Sequence, residues 1–468
     1  MGDIERVLEE SLHELRPRED ERAEAIEIYG EIKKVIETSL RIPYEFTVEL
    51  HGSVAKGTEL RGMIDLDVFL LIRYDDISRE WLEKEVVKPL LNVFKKLYEC
   101  VRLRYSTHPY VYLQLGKYEV DVVPAYWARS TSEIKTAVDR TPFHTRYVVS
   151  KLSEEMKDEV RLLKAFFKNV GVYGAEIKFE GFSGYLTELL VIKYGSFINA
   201  LKNISKWRFS EIVVVEEPVE VSYNYLRKVF KAPLIIPDPV DLKRNAASAV
   251  SAESLARAVL ASSIFLQKPS KNMLLAGVES LGESDVESLR RLAIETGREV
   301  VGVVFKLFNE VAPDVLWGKL RSTTKSLLNL LEREGFKVVS YSIWSDEISE
   351  AAVIVTIMPR ELSLYEIHLG PPLGRVNDIG SFTLKYYSTS RGLGPYVTPS
   401  GRIFTLRQRK YVHPHQVVED YAKSLKPEGE LYVSAILKNL DEVCEYVRIR
   451  RSPELSTVFR RAIKLEIF

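Results

Sequence analysis

Cysteine is nearly absent: Cys100 and Cys444 are the only two in 468 residues. They lie far apart in sequence, so neither a disulfide framework nor a thiolate metal site is expected, and any metal must be held by oxygen ligands. Long apolar runs are missing as well. The longest candidates, such as Ala352 to Met358, are strand-sized and fall far short of the roughly 20 apolar residues of a bilayer-spanning helix, which excludes a membrane partner. The N-terminal stretch to Gly30 is acidic and helix-forming, without the basic start or apolar core of a secretory signal, so a cytoplasmic location is expected. Net charge is the third absence, since 66 Lys plus Arg balance 66 Asp plus Glu. A surface for a polyanion therefore has to come from local segregation of charge.

What is present is enough apolar residue, 46%, to bury several cores in about two to four domains. Residues 1 to 40 read as helices. Phe46, Val48 and Leu50 alternate as in a half-buried strand, Asp65 to Ile72 is a second strand and Val86 to Tyr98 a helix. Tyr110 to Leu115 and Tyr118 to Val123 form a hairpin around Gly116-Lys117. Val160, Leu163 and Phe167 mark a helix over Glu154 to Lys168 with Gly171 as its stop signal. Further helices are expected over Tyr185 to Asn203 and Ala252 to Leu266, the last after the turn-rich Pro237-Asp238-Pro239. Beyond them strands (Glu299 to Phe305, Lys337 to Ile343, Ala351 to Ile357) alternate with a helix over Trp317 to Glu334. The fold class is α+β multidomain: a mixed sheet with helices over 1–150, a helical domain over 151–266 and an α+β region over 267–468.

The chemistry concentrates in three acids and a turn. Side chains two apart on a strand share a face, so Asp65 and Asp67 project together while Leu66 and Val68 pack inward. Paired carboxylates repel unless a cation lies between them, and hard oxygen ligands suit Mg²⁺. Asp121 sits in Glu119-Val120-Asp121-Val122-Val123-Pro124, among residues that favour burial, where an unpaired charge is costly. If the two strands are neighbours, three carboxylates meet at a site suited to phosphoryl transfer with two metal ions. Gly52-Ser53 follows a strand directly; a Gly lets backbone approach a phosphate, the Ser hydroxyl donates to it, and Lys56 reaches the same anion one turn on. Each feature alone is ordinary, as a turn or a solvated strand face; the combination is not.

His51-Gly52-Ser53 through Asp65-Leu66-Asp67 resembles the nucleotidyltransferase signature of the DNA polymerase β superfamily. Further segments resemble the archaeal-type, class I CCA-adding tRNA nucleotidyltransferases: Thr107-His108-Pro109-Tyr110, Glu119 to Pro124, Ala137 to His144, Arg161 to Lys164, Tyr173 to Glu176, Gly181 to Tyr185, and Asp238 to Asp241 with Lys243-Arg244-Asn245. The match spans about residues 45 to 250 and is looser beyond, chiefly around Val376 to Tyr421. It implies a polymerase β-like catalytic domain over 1–150 and a central domain, 151–266, that completes the nucleotide pocket. Asp65, Asp67 and Asp121 would hold the metals, while Ser53, Lys56, His144, Lys164 and Tyr173 would contact ATP or CTP and Arg244 would help read the base. The family often has Glu in place of Asp65 and Arg in place of Lys56; the first change shortens the reach by one methylene, and the second loses the bidentate fork. Read without the family, Arg161, Lys164 and Lys168 form a basic helical stripe of which two are expected to face only water. His144 then reads as a structural histidine after Pro142, Tyr173 as a base platform or a cover for a helix end, and Arg244 as surface charge.

From Ile379 to Val418 there is no Asp or Glu, whereas Lys385, Arg391, Arg402, Arg407, Arg409 and Lys410 interleave with Phe382, Tyr386, Tyr387, Tyr396, Phe404 and Tyr411. Such segregation marks an RNA surface, with about half of the aromatics expected in the core instead. His413 and His415 flank Pro414 without a third ligand and read as surface residues. The resemblance implies that 267–468 binds tRNA, the tail gripping the elbow while the acceptor end enters the active site; a homodimer is left open. The expected activity is addition of C, C and A from CTP and ATP. A poly(A) polymerase or small-molecule nucleotidyltransferase is the rival enzyme, and a catalytically silent RNA-binding protein the rival from another class.

Overall fold

The computed structural model describes residues 3–73, 78–105, 108–216, 222–275, 282–308, 311–390, 392–425 and 431–465; Thr107 and Arg391 lie outside them. The chain forms two compact units, Met1–Gly277 and Val278–Glu466.

The first unit is built on a five-stranded sheet, ordered β1-β2-β5-β4-β3, of β1 (Phe46–His51), β2 (Asp65–Ile72), β3 (Val101–Tyr105), β4 (Pro109–Leu115) and β5 (Tyr118–Tyr126). All neighbours are antiparallel except β2 and β5, which pair in parallel. Strand β2 shows why the sheet forms here. Leu66, Val68, Leu70 and Ile72 enter a core with Val120 and Val122 of β5 and with Ile32 and Ile36 of the Glu19–Ser39 helix. The opposite face of the same two strands buries Phe69, Leu71, Val123 and Ala125 in a smaller cluster. Toward the start of β2 and β5 this second face changes from apolar to acidic, carrying Asp65, Asp67, Glu119 and Asp121. A strand with both faces covered along most of its length is held rigidly, so the acids stand on a fixed base.

A second core in the unit is helical. The Glu154–Val170 helix starts at Ser153, whose side chain accepts from the Met156 amide, and ends at the left-handed Gly171. Phe166, Phe167, Phe182, Phe197 and Phe265 meet edge to face or stacked in its centre. The single helix expected over Tyr185 to Asn203 is two, Gly184–Tyr194 and Phe197–Ile204. Gly195 takes φ 80°, which ends the first, and the Ser196 side chain caps the second. Apolar periodicity runs through both, and the backbone break interrupts it without altering the pattern. Residues 86 and 87 belong to a π-helical stretch, Leu82–Val87, ahead of the Lys88–Leu97 helix.

In the second unit a four-stranded antiparallel sheet is ordered Leu431–Leu437, Glu299–Leu307, Glu350–Met358, Lys337–Ser345. Glu350–Met358 buries all but its last residue, so the sheet is covered on both faces. A three-stranded sheet (Tyr365–Leu369, Ile403–Gln408, Leu393–Val397) carries the Val376–Tyr386 helix against it. This is the acid-free segment. Phe382, Tyr386 and Tyr411 are buried, whereas Tyr387 and Tyr396 are exposed. Three of its cations are paired by acids from outside the segment: Arg407 and Arg409 with Glu366, and Lys410 with Asp420. Lys385 and Arg402 are exposed and make no ion pair among the described residues. His413 and His415, expected on the surface, are half-buried with their rings stacked 5.5 Å apart.

Candidate active site

The parallel pairing of β2 with β5 places Asp67 directly opposite Asp121, and Asp65 opposite Glu119. Adjacent strands lie about 4.8 Å apart, so the acids crowd one patch. All four border a cleft of about 400 Å³ that is also lined by Gly52, Ser53, Lys56, Arg104, Lys164, Tyr173, Gly184 and Glu188. Gly52 takes φ +68°, and a Cβ on it would stand 1.7 Å from Oδ2 of Asp67. Only glycine lets the turn pass this close to the carboxylate, with Ser53 following at the start of the short Gly52–Lys56 helix.

The electrostatics of the acids are strained. Burial raises the pKa of Asp65, with Glu119 adding to it, and burial likewise raises Asp67. Asp121 is pushed up to about 7, first by burial and then by Asp67. Its Oδ1 is buried without a hydrogen-bond partner. Clustered carboxylates on one strand face, one of them with an orphaned oxygen, are the donor set that a divalent cation satisfies. Among the described residues no three acids, imidazoles or thiols already close into a ligand cage; the three aspartates share a face and a cleft without enclosing a point.

Opposite the acids lies a buried cationic pair. Lys56 Nζ donates to Glu188 Oε2 at 2.6 Å, and Thr58 donates to Glu188 Oε1 at 2.7 Å. Lys164 donates to the carbonyl and hydroxyl of Thr58, both at 3.0 Å, and stands 3.5 Å from Glu188. Burial brings the Lys164 pKa down to about 8, against the pull of Glu188. Arg161 reaches the carbonyls of Glu59 at 2.9 Å and Gly57 at 2.6 Å. Two of the three stripe residues, Arg161 and Lys164, are thus buried at 8% and 3% exposure, and only Lys168 faces water. The expectation of two solvated residues fails because the turn after Lys56 offers them carbonyls that only long cationic side chains can reach. Tyr173 completes this wall, its hydroxyl 3.0 Å from where a Cβ of Gly184 would be.

His144 and Arg244 gather elsewhere, around Asp238. The Asp238 carboxylate is fully buried and is held by His144 Nε2 at 3.0 Å, Tyr185 Oη at 2.8 Å and Arg244 at 2.8 Å, while the imidazole stacks on Tyr185 at 3.8 Å. Burial alone would raise this acid, but His144 and its other donors bring it to about 2. His144 itself is lowered by burial. Asp238 and Tyr185 stand within sequence motifs that assign them no role, and Glu188 and Arg104, which line the cleft, belong to no motif. A lone acid within Leu186-Thr187-Glu188-Leu189-Leu190-Val191 was the available signal for Glu188.

An acidic patch on paired strands beside a glycine-serine turn and buried lysines defines a nucleotidyltransferase, and family models agree. The model described as a nucleotidyltransferase domain matches residues 31–144, that of the second domain of tRNA nucleotidyltransferase matches 158–275, and that of the C-terminal domain of the CCA-adding enzyme matches 296–441. The CCA-adding enzyme of Pyrobaculum islandicum is 37% identical over 90% of this chain and 94% of its own length. That of Sulfurisphaera tokodaii is 34% identical over 87% of this chain and 91% of its own. Among solved structures, the Cid1 poly(U) polymerase is similar at 15% identity with a TM-score of 0.45, over 56% of this chain and 94% of that one. The chain belongs to the family of CCA-adding enzymes, nucleotidyltransferases that depend on divalent metal. No helix among the described residues is long and apolar enough to cross a membrane.

Proposed function

We infer that this enzyme adds C, C and A without a template to the 3′ end of tRNA, in the cytoplasm, with Asp65, Asp67 and Asp121 as the ligands of Mg²⁺. The observation that carries the site is the register of β2 with β5, which sets Asp67 against Asp121. When bound, the ions lower the pKa of the attacking hydroxyl and offset the charge on the reacting phosphate. The bond formed joins the tRNA 3′ oxygen to the α-phosphorus of CTP, and later of ATP. The bond broken is that between the α-phosphorus and the bridging oxygen, so pyrophosphate leaves with the electron pair.

The protein's own part is positioning. Ser53 donates to the triphosphate at the turn that Gly52 keeps against Asp67. Lys56 and Lys164 neutralise the phosphates from one wall of the cleft, which Tyr173 completes. Arg244, fixed by Asp238, offers donors to the base edge, and His144, whose Nε2–H is given to Asp238, presents Nδ1 to the nucleotide as an acceptor. In this reading residues 1–150 perform catalysis, 151–266 complete the nucleotide pocket, and 267–468 bind tRNA at its acceptor end and elbow.

The test is to supply Mg²⁺, CTP and ATP with tRNA lacking its last three nucleotides and sequence the product. Ordered C, C, A supports the reading. A homopolymeric A tail assigns the chain to the poly(A) polymerases instead.

A further inference from the structure

Glu188 is a charge without a task in the reading above. It is fully buried in the Gly184–Tyr194 helix, flanked by Leu186, Leu189 and Leu190, yet it borders the cleft. Isolated in such surroundings a carboxylate is strongly disfavoured, and so is each lysine near it, Lys56 at 8% and Lys164 at 3% exposure. Both Glu188 oxygens are engaged, one by Lys56 and the other by Thr58, so the group is committed to the protein. Lys56 lowers the tendency of Lys164 to hold its charge, and Glu188 offsets that. Apolar side chains in place of the whole Lys56, Lys164 and Glu188 cluster would cost little stability, because buried ion pairs seldom repay their desolvation, whereas an apolar side chain at position 188 alone would leave two buried ammonium groups without their counterion. What an apolar side chain cannot do is hold two ammonium groups together at one cleft and supply the counterion that favours the proton of Lys164.

Building on the reading of Lys56 and Lys164 as triphosphate contacts, we propose that Glu188 is the positioning residue of the triphosphate subsite. Its carboxylate fixes both lysines, Lys56 from the turn after β1 and Lys164 from the Glu154–Val170 helix, and keeps Lys164 protonated. Lys164 is the sensitive partner, since burial brings it to about 8 even with Glu188 in place. The charged groups that act on Lys164 are Glu188, Lys56 and Glu59, with Asp67 across the cleft. Removing the negative charge of Glu188 takes away the largest influence that favours the lysine's proton. Lys164 then discharges at lower pH, and affinity for the triphosphate falls with it.

The experiment uses the full chain and tRNA lacking its last three nucleotides, with KM and kcat for CTP measured from about pH 6.5 to 9.5, a range that spans the Lys164 transition. The wild type comes first: failure to add C, C and A would overturn the functional reading, whatever the result for Glu188. With that activity present, KM for CTP in the wild type rises as pH passes about 8. Glu188→Gln raises KM about tenfold or more at neutral pH and moves the rise to lower pH, while KM for tRNA holds. An unchanged KM and profile in Glu188→Gln overturns the proposal. So does a loss equal at every pH that falls on kcat and tRNA affinity alike, which a packing defect would give. Should Glu188→Gln not fold, Glu188→Asp, which keeps the charge but falls one methylene short of Lys56, takes its place: a raised KM for CTP with KM for tRNA unchanged supports the proposal, and a wild-type KM refutes it.

Discussion

Gly52→Ala changes one hydrogen for a methyl group, and the structure gives the size of its effect. The new Cβ would stand 1.7 Å from Oδ2 and 2.7 Å from Cγ of Asp67, at a residue with φ +68°. Holding alanine in the left-handed region costs about 1–2 kcal/mol. Relief of the overlap requires Asp67 to leave its rotamer, for about 0.5–1.5 kcal/mol more, because Leu66 and Val68 on either side are locked in the core and the strand cannot retreat. A stability loss of about 1.5–3.5 kcal/mol is expected, read as a lower midpoint in urea with unchanged slope. The larger effect is on chemistry: a carboxylate displaced by about 1 Å costs on the order of a hundredfold in rate. Single-turnover incorporation of CTP at saturating nucleotide and tRNA measures it. Turnover by Gly52→Ala within about threefold of the wild type, at wild-type stability, would refute the claim that the turn and Asp67 form one rigid site.

Other outcomes follow from the same geometry. Asp238 has its pKa depressed from 3.8 to about 2, so its ionised form contributes stability that is complete above the ordinary value and lost as pH falls from 3.8 toward 2. Asp238→Asn should flatten that acid stretch of the melting-temperature curve; an unchanged slope would mean that the carboxylate is idle. Chelation of divalent metal should abolish incorporation and restoring Mg²⁺ should recover it, with the melting temperature rising on metal addition as the crowded acids gain a counterion. Full activity in chelator would contradict the carboxylate site. Tyr396→Ala and Arg402→Glu should weaken tRNA binding about fivefold or more, on the scale of one lost stacking or phosphate contact, and leave KM for CTP alone. Filter binding across salt concentrations checks this, since Arg402→Glu should also lower the salt slope by about one phosphate contact.

Much of the site could be read from the sequence because strand periodicity is local. The extent of β2 follows from its short apolar run Val68 to Ile72, and the shared face of Asp65 and Asp67 and the burial of Leu66 and Val68 follow from the two-residue period of a strand. The stop at Gly171 follows from a residue type that tolerates left-handed backbone. The pairing of β2 with β5 is another matter, because it joins segments about fifty residues apart and no local rule specifies it. The cationic wall was hidden for a different reason. Lysine and arginine are expected in water, and Arg161 and Lys164 are buried only because Gly57, Thr58 and Glu59 present carbonyls to them and Glu188 supplies charge. Likewise the acid-free segment looked uniformly basic in one dimension. Glu366 and Asp420, brought in by neighbouring elements, pair with three of its cations.

The most direct measurement of the account is to replace Asp65, Asp67 and Asp121 by Asn in turn and record, for each, both single-turnover CTP incorporation and tRNA affinity. Each variant should fold, bind tRNA as the wild type does and fail at incorporation. Incorporation that persists in the Asp121→Asn variant, or tRNA affinity and folding that fall together with it, would show that the acids of β2 and β5 do not form one catalytic centre.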